Sequence, residues 1–233
     1  MARIVKEEEY ALKRNEILAV AQRLVYTKGY EQMTIQDILD NLQISKGAFY
    51  HYFDSKQALL EAVIERMQQE VEQILLPIVH DPQLPALDKL QRTFATLNRW
   101  KTAQKAFFLA LLRVWYADDN ALVRQKLRAA GVKRITPWLA VIIRHGIQEG
   151  VLTTSYPEQM GEVVLSLVQN LGDTLGMLLL SFEPKRDDMH RVESIVAAYT
   201  DALERTLGAP EGSLQLTDAQ TLKEWFASPG DHA

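Results

Sequence analysis

The positions of the apolar residues predict helices along nearly the whole chain. Over about residues 7–28 the apolar residues fall on one stripe at helical spacing, and Gly29 follows as a typical helix stop. Similar runs recur up to about residue 207, whereas no stretch alternates apolar and polar residues for long enough to indicate a strand. The pattern therefore predicts an all-α protein.

The breaks between these runs divide the chain into three parts. Two very short helices are predicted over about 34–41 and 45–52, followed by a long helix from Ser55 that should end at Pro77. A polar, proline-containing stretch then precedes several long apolar helices. We predict an N-terminal three-helix domain over 1–56, a larger C-terminal helical domain over 57–207, and a tail over 208–233 that contains a short helix.

The composition fits a folded protein and excludes several chemistries. Of the 233 residues 47% are hydrophobic, and the lack of cysteine excludes disulfides, a thiolate nucleophile and a zinc site built on cysteine. The N-terminus is charged instead of apolar, so no signal peptide is expected. The most apolar run, 163–182, is interrupted by Gln169, Asn170 and Asp173, so we expect no membrane span and a cytoplasmic protein.

The sequence lacks the residue spacings of common active sites. Its five histidines show neither the HxxxH nor the HxH spacing that brings two metal ligands together, and GxSxG, P-loop and dinucleotide motifs are absent. We therefore expect no catalytic residues, no metal and no cofactor, and an enzyme is the least favoured function. The net charge of −4 gives no general attraction for nucleic acid, so any DNA binding must come from a local site.

Three helix starts lie close together after the first helix. Thr34 with Asp37 three residues later is typical of a capping box, Ser45 can cap the next helix, and Asp54 begins a third cap. Helices as short as the two between these starts are marginal alone, so they must pack on the helices before and after them. The arrangement predicts a helix-turn-helix followed by a long helix.

The second short helix has an unusual composition for a purely structural element. Gly47 in its first turn costs about 1 kcal/mol relative to alanine, a loss that a close approach to another molecule would justify. Several neighbours carry hydrogen-bond donors that reach phosphate oxygens or base edges: Lys46, Tyr50, His51 and Lys56. The alternative is that Thr34 and Ser45 only cap helices, that Tyr50 and Phe53 belong to the core, and that the charged residues are merely solvated.

From Ile17 to Leu60 the sequence resembles the DNA-binding domain of TetR-family transcriptional regulators. The family pattern Ser-x-Gly-x-x-Tyr-x-His-Phe-x-x-Lys spans Ser45 to Lys56, with Tyr52 in place of the histidine. A second departure is Gln43, where the family usually has glycine in the turn. Other residues that carry the match are Ala21, Leu24, Gly29, Tyr30, Thr34, Ile38, Leu59 and Leu60.

This resemblance implies a homodimer that binds a near-palindromic double-stranded DNA operator through a local site. Residues 1–56 carry eight Lys or Arg and eight Asp or Glu, so a modest salt dependence is expected. Thr34 and Lys56 would contact phosphates, and the recognition helix would face the groove. The expected DNA-binding residues are Thr34, Ser45, Lys46, Gly47, Tyr50, His51 and Lys56.

The same resemblance makes 57–207 an effector-binding and dimerisation domain. Its aromatic content suits a lipophilic or aromatic effector, although for each residue core packing is the simpler explanation. The expected effector-binding residues are Trp100, Phe108, Leu112, Trp115, Trp138, Ile142, His145, Asn170 and Asp173.

Small and acidic residues in the apolar run leave several roles open. Gly172 and Gly176 are assigned to the dimer interface, with a helix crossing inside one chain as the alternative. A buried carboxylate needs a partner, so Asp173 is expected to pair with Arg113, Arg144 or His145, to face the interface, or to orient an effector.

The sequence therefore predicts a helix-turn-helix transcriptional regulator, most often a repressor released from DNA by a small molecule. Two alternatives remain at this point. One is a DNA-binding regulator without a small-molecule effector, either constitutive or controlled by a partner, and the other is an activator.

Overall fold

Helices form all the regular structure that we describe. The computed structural model covers residues 2–181 and 188–226, and within these ranges the prediction of an all-α fold is confirmed. A single 3-10 turn at Asp118–Asn120 separates α6 from α7. The helices are α1 (Ala2–Lys28), α2 (Ile35–Leu42), α3 (Lys46–Tyr50), α4 (Lys56–Val79), α5 (Ala86–Ala103), α6 (Lys105–Tyr116), α7 (Ala121–Gln148), α8 (Pro157–Ser181), α9 (Asp188–Leu207) and α10 (Ala219–Phe226).

The chain forms two compact units whose bounds differ from the predicted domains. Unit 1 combines residues 1–70 with 106–127, and unit 2 combines 71–105 with 128–233. Most of α6 and the start of α7 thus cluster with the N-terminal helices. A boundary drawn at one point of the sequence, such as 56, does not describe units that are each built from two segments.

The two short helices of unit 1 hold their places by packing. Helices of eight and five residues, the lengths of α2 and α3, are not stable in isolation. Phe49 of α3 is completely buried, which contributes about 1.5–3 kcal/mol, and Ile38 and Leu39 bury the inner side of α2. The surrounding core residues are Ile17, Leu18, Ala21, Leu24, Val25, Met33, Phe53, Leu59 and Leu60.

All three helix starts in this region carry side-chain caps. The Thr34 hydroxyl accepts from the Asp37 N–H at 3.1 Å, and the Asp37 carboxylate accepts from the Thr34 N–H at 2.8 Å, so the predicted capping box is confirmed. The Ser45 hydroxyl accepts a first-turn N–H of α3 at 3.1 Å. At α4 the cap is Ser55, whose hydroxyl accepts at 2.9 Å. These caps fix where α2, α3 and α4 begin.

The turn between α2 and α3 has the conformation in which the family uses glycine. Gln43 ends α2 with φ 51° and ψ 43°, in the left-handed region. Among the residues described, it is the one non-glycine residue with positive φ. A side chain in this conformation costs about 1–2 kcal/mol.

The expectation that Pro77 stops the long helix is wrong. Helix α4 continues through Pro77 to Val79. The proline lies in the last turn, where it removes one hydrogen bond, the one to the carbonyl of Gln73. Gln73 is exposed, so its carbonyl is open to water and the helix tolerates the loss.

Unit 2 has its own core, formed by α5, α7, α8, α9 and α10. Helices α7 and α8 come very close at Gly161, where an added Cβ would lie 2.7 Å from the carbonyl oxygen of Thr136. The largest fully buried side chains in this unit are Leu90, Ile142, Ile143, Leu152, Leu203 and Leu207.

The chain after α9 folds back over unit 2. The buried Glu204 carboxylate accepts the N–H groups of Gly212 at 3.0 Å and Leu214 at 2.8 Å, which holds the turn. The predicted tail helix is present as α10, where Trp225 donates to Thr102 at 2.8 Å and Phe226 is buried. Residues 227–233 of the predicted tail lie outside the described residues.

Helix α8, which contains most of the apolar run noted in the sequence, has the length and apolar composition of a membrane-crossing helix. Of its most apolar window, 22% is buried. Length and composition are weak evidence for a span, and α8 packs along α9. The apolar residues that α8 exposes are therefore a candidate surface for contact with another molecule.

Replacing Gln43 by glycine should stabilise the protein. Glycine adopts φ 51° without the steric cost paid by a side chain, so Gln43→Gly should raise the free energy of unfolding by about 1 kcal/mol. Thermal denaturation of the purified protein measures this change. The matched control is Gln32→Gly, since Gln32 is an exposed turn residue without positive φ. The strain argument is wrong if Gln43→Gly melts at or below the temperature of the unsubstituted protein.

Candidate nucleic-acid interface

Helix α3 presents one polar side to solvent and buries the other. Phe49 points into the core of unit 1, whereas Tyr50 is 42% exposed. The core alternative for Tyr50 therefore fails, while it holds for Phe53, which is buried. The structure brings five of the predicted DNA-binding residues onto this exposed side or its ends: Ser45, Lys46, Gly47, Tyr50 and His51.

Packing among the residues that the structure describes does not explain the glycine in α3. Gly47 has an ordinary negative φ, and an added Cβ would meet only the Ser45 hydroxyl oxygen, at 3.9 Å. Alanine would fit and would favour the helix by about 1 kcal/mol. The missing side chain thus leaves the backbone of α3 open to a close approach from outside.

Thr34 and Asp37 form a network that holds the start of α2. The Thr34 hydroxyl donates to the Asp37 carboxylate at 2.9 Å, and Lys28 donates to the other carboxylate oxygen at 2.5 Å. The Lys28 hydrogen bond and those from Thr34 lower the pKa of Asp37 to about 2. Thr34 is exposed as well, so its predicted phosphate contact remains a prediction beside a clear capping role.

Lys56 is held within the protein. Its ammonium donates to the Glu31 carbonyl at 3.2 Å and lies 4.3 Å from the centre of the Tyr30 ring. These contacts join the start of α4 to the turn between α1 and α2. Its predicted phosphate contact would have to share the ammonium with the Glu31 carbonyl.

Tyr10 is a functional candidate that the sequence reading missed. Its ring meets the His51 ring edge-on at 5.5 Å and lies 4.7 Å from the Tyr52 ring. Tyr52 stands where the family pattern has histidine, so the larger ring is accommodated by a partner on α1. The sequence did contain a signal for this position. Tyr10 is seven residues before the buried Ile17, so it lies on the same face of α1.

The predicted effector-binding residues do not all lie in one unit. Phe108, Leu112 and Trp115 of α6 belong to unit 1, and the other six belong to unit 2. Ile142 is completely buried in the unit 2 core, which is the simpler explanation offered above. The α6 residues are partly buried.

His145 links helices α5 and α7 through charged partners. The ammonium of the buried Lys89 lies 3.3 Å from Nδ1 of His145, and Nε2 lies 3.2 Å from the Glu149 carboxylate. Because an ammonium only donates, Nδ1 accepts and Nε2 carries the hydrogen. The other Glu149 oxygen accepts the Ala86 N–H at 2.8 Å at the start of α5. Across residues 2–181 and 188–226, no three His, Asp or Glu side chains are placed to hold a metal ion.

The polar residues of α8 bond to neighbouring helices. The Tyr199 hydroxyl of α9 donates to Asn170, and Arg128 of α7 donates to Asp173. Arg128 was not among the partners expected for Asp173. One of those expected, Arg144, pairs instead with Glu158 at 2.7 and 2.8 Å.

The two glycines assigned to an interface differ in their surroundings. Gly176 is buried within the protomer, as the intrachain alternative requires. An added Cβ at Gly172 meets no atom within 4 Å. At about 100° per residue, however, Gly172 lies on the opposite side of α8 from the exposed Val163.

Known families match both parts of the chain. The family described as "Bacterial regulatory proteins, tetR family" matches residues 17–63, and "Tetracyclin repressor-like, C-terminal domain" matches residues 115–198. The first match covers α2, α3 and the exposed side of α3 described above.

Individual proteins show the same similarity over longer stretches. The HTH-type transcriptional repressor NemR of Escherichia coli (strain K12) is 26% identical over 190 residues, which cover 79% of this chain and 94% of NemR. The HTH-type transcriptional regulator EthR of Mycolicibacterium smegmatis is 29% identical over 124 residues, 46% of this chain and 57% of EthR. The crystal structure of a TetR-family transcriptional regulator from Pectobacterium atrosepticum shares the fold, with a TM-score of 0.67 at 18% identity over 88% of this chain and 98% of that one.

Replacing Gly47 by alanine should stabilise the protein and weaken DNA binding. The added methyl group favours α3 by about 1 kcal/mol but occupies the space that a DNA backbone would need. We expect a higher melting temperature together with at least a tenfold loss of affinity for an operator duplex, measured by fluorescence anisotropy. Gly131→Ala in α7, where an added Cβ would meet no atom within 4 Å, should change the melting temperature alone. Unchanged affinity in Gly47→Ala would remove α3 from the interface.

Tyr10 should act by positioning His51 and Tyr52. Removing its ring in Tyr10→Ala takes away both ring contacts, so operator affinity should fall several-fold, whereas Tyr10→Phe should keep it. Because Tyr10 is partly exposed, the melting temperature should change little. Equal losses in the alanine and phenylalanine variants would show instead that the hydroxyl itself contacts DNA.

Proposed function

Because the chain belongs to the TetR family of bacterial transcriptional regulators, we propose that it is a homodimeric repressor which a small-molecule effector releases from its operator. The relatives it resembles are transcriptional regulators, and NemR is described as a repressor. The proposed operator is a near-palindromic duplex, and binding to chromosomal DNA places the protein in the cytoplasm.

The exposed side of α3 is the observation that carries this proposal. It combines an anchored position, through the buried Phe49, with donors that project outward at Lys46, Tyr50 and His51. Gly47 leaves the helix backbone accessible between them. A helix with these properties fits the major groove, where the recognition helix of a helix-turn-helix reads base edges near its N-terminus.

The exposed faces of α8 and α9 support a homodimer. Helix α8 exposes Val163, Met177 and Leu180, of which Met177 is 51% exposed. Helix α9 packs beside it and exposes the small residues Ala197 and Ala198, which allow a close approach of another helix. In TetR-family regulators the last two long helices form a four-helix dimer interface, and a second copy of this chain would cover these faces. Two copies place two recognition helices about 34–36 Å apart, as successive half-sites require.

Release by an effector needs a connection between the site in unit 2 and α3. Helix α4 provides it along the chain, because it runs without a break from Lys56 in unit 1 to Val79 in unit 2. An effector that prefers a conformation unsuited to DNA lowers operator affinity, typically by a coupling of about 1–3 kcal/mol. The apolar, aromatic residues of unit 2 favour a lipophilic or aromatic effector.

The dimer and the DNA contact can be separated by variants. Met177→Arg places a charge on the proposed interface without removing packing inside the protomer, so it should give a monomer in sedimentation and lose operator binding. The double variant Lys46→Ala/Tyr50→Ala should keep the dimer and lose operator binding. Leu122→Arg is the matched control, because Leu122 is also exposed and lies on α7.

The operator itself is found by selection from random duplexes. We expect a near-palindromic sequence with half-sites about one helical turn apart. A Met177→Arg protein that stays dimeric would remove α8 from the interface. Selection that enriches no sequence would contradict the proposed function.

A further inference from the structure

Arg134 of α7 has a buried nitrogen without a hydrogen-bond partner. Its Nη1 is shielded from solvent and bonds to no other group of the described structure. A guanidinium carries donors and no acceptor, so this nitrogen can be satisfied only by an acceptor such as a carbonyl or carboxylate oxygen. Leaving a buried donor unpaired is costly, and a group of this kind in a folded protein calls for an explanation.

The one ion pair shown for Arg134 is long. Its Nε lies 3.7 Å from the Glu72 carboxylate of α4, beyond hydrogen-bond distance. By contrast, Arg144, ten residues further along α7, holds Glu158 with contacts of 2.7 and 2.8 Å. Glu72 therefore balances the charge of Arg134 without saturating its donors, and its own side chain is partly exposed.

The position beside Gly131, one turn before Arg134 on the same face of α7, is open. Gly131 is three residues earlier and is buried, yet an added Cβ would meet no atom within 4 Å. Trp138 follows Arg134 by four residues, so all three project from one side of the helix. That side also packs apolar residues against the unit 2 core. The open position at Gly131 and the unpaired donor of Arg134 thus lie about one turn apart on the same side of α7.

We propose that Arg134 recognises the carboxylate of a small acidic molecule whose apolar body fills the space beside Gly131. A carboxylate matches the fork of the guanidinium and takes both Nη1 and a second N–H. The Arg134 side chain is 29% exposed, so the guanidinium is reachable from solvent. The ligand competes with Glu72, because both carboxylates pair with the same guanidinium.

If the protein is the proposed effector-released repressor, competition for Arg134 links ligand binding to helix α4. Glu72 belongs to α4, which continues along the chain into unit 1 and its recognition helix. A ligand that takes Arg134 releases Glu72 and removes one link between α4 and α7. The acidic ligand is then the effector, and loss of this link is how its binding is passed to α4.

Binding is tested without DNA, so that the site is judged independently of the proposed function. Isothermal titration calorimetry of the full chain uses benzoate, 1-naphthoate and decanoate as probes, with benzamide, 1-naphthamide and decanamide as neutral counterparts. We expect at least one acid to bind, and its amide to bind at least tenfold more weakly. Arg134→Lys keeps the charge but loses the fork, so it should weaken acid binding about tenfold or more.

Three further variants complete the test. Gly131→Leu should fill the space and abolish acid binding without lowering the melting temperature, because leucine favours the helix more than glycine does. Glu72→Gln should strengthen acid binding because the competitor is removed. Arg144→Lys, on the same helix but with a close partner, is the matched control and should bind the acid normally.

Several results overturn the proposal. These are no binding of any acid, equal binding of acids and amides, acid binding unaffected by Arg134→Lys or by Gly131→Leu, and weaker acid binding in Glu72→Gln. If acid binding follows Arg134 but no operator is found by selection, the site stands and the regulatory function fails. If an operator is found and the bound acid does not release it, the recognition site stands and its role as effector site fails.

Discussion

The burial of Phe49 is the contact on which the DNA-binding surface depends. Helix α3 has five residues and no stability of its own, so its position is set by this one aromatic anchor and by the cap at Ser45. Because the anchor points inward, the residues on either side of it must point outward. The exposed donors and the core of unit 1 are thus two consequences of the same packing.

Several polar contacts of unit 1 lie at helix starts, where they fix the positions of the short helices. The capping box of α2, the Ser55 cap of α4 and the Lys56 contact with the Glu31 carbonyl all fix where a helix begins. None of these contacts involves Gly47, where an added Cβ would meet only the Ser45 hydroxyl oxygen, at 3.9 Å. The glycine at position 47 costs about 1 kcal/mol of helix stability, and in return it allows a DNA backbone to approach α3 closely.

The sequence was sufficient for features that depend on neighbouring residues, and insufficient for those that depend on distant ones. The helix starts at Thr34 and Ser45 follow from local capping chemistry and agree with the structure. At Gln43, by contrast, the glycine that the family usually has did not decide the conformation, and the structure supplies the positive φ. The continuation of α4 past Pro77 was missed, because the cost of a proline depends on how close it lies to the helix end.

Contacts between segments that are far apart in the chain could not be predicted from the sequence, because they depend on how the helices pack. Asp173 pairs with Arg128, which is 45 residues away. From the sequence alone, several other arginines were equally possible partners. Tyr10 meets His51 and Tyr52 only because α1 begins early enough to pass beside α3. The placement of α6 in unit 1 likewise depends on packing, which no single stretch of the chain encodes.

Two polar side chains on the same face of α7, those of His145 and Arg134, differ in whether their nitrogens have partners. Both ring nitrogens of His145 have partners, Lys89 and Glu149. Glu149 also accepts the first N–H of α5, so these contacts are explained by their role in holding the helices together. Arg134, eleven residues earlier, keeps a buried donor free about one turn from the open position at Gly131. A stability role alone would favour a closer partner or an apolar residue at that position. The unpaired donor therefore directs the search for a ligand to Arg134 instead of to the more conspicuous histidine.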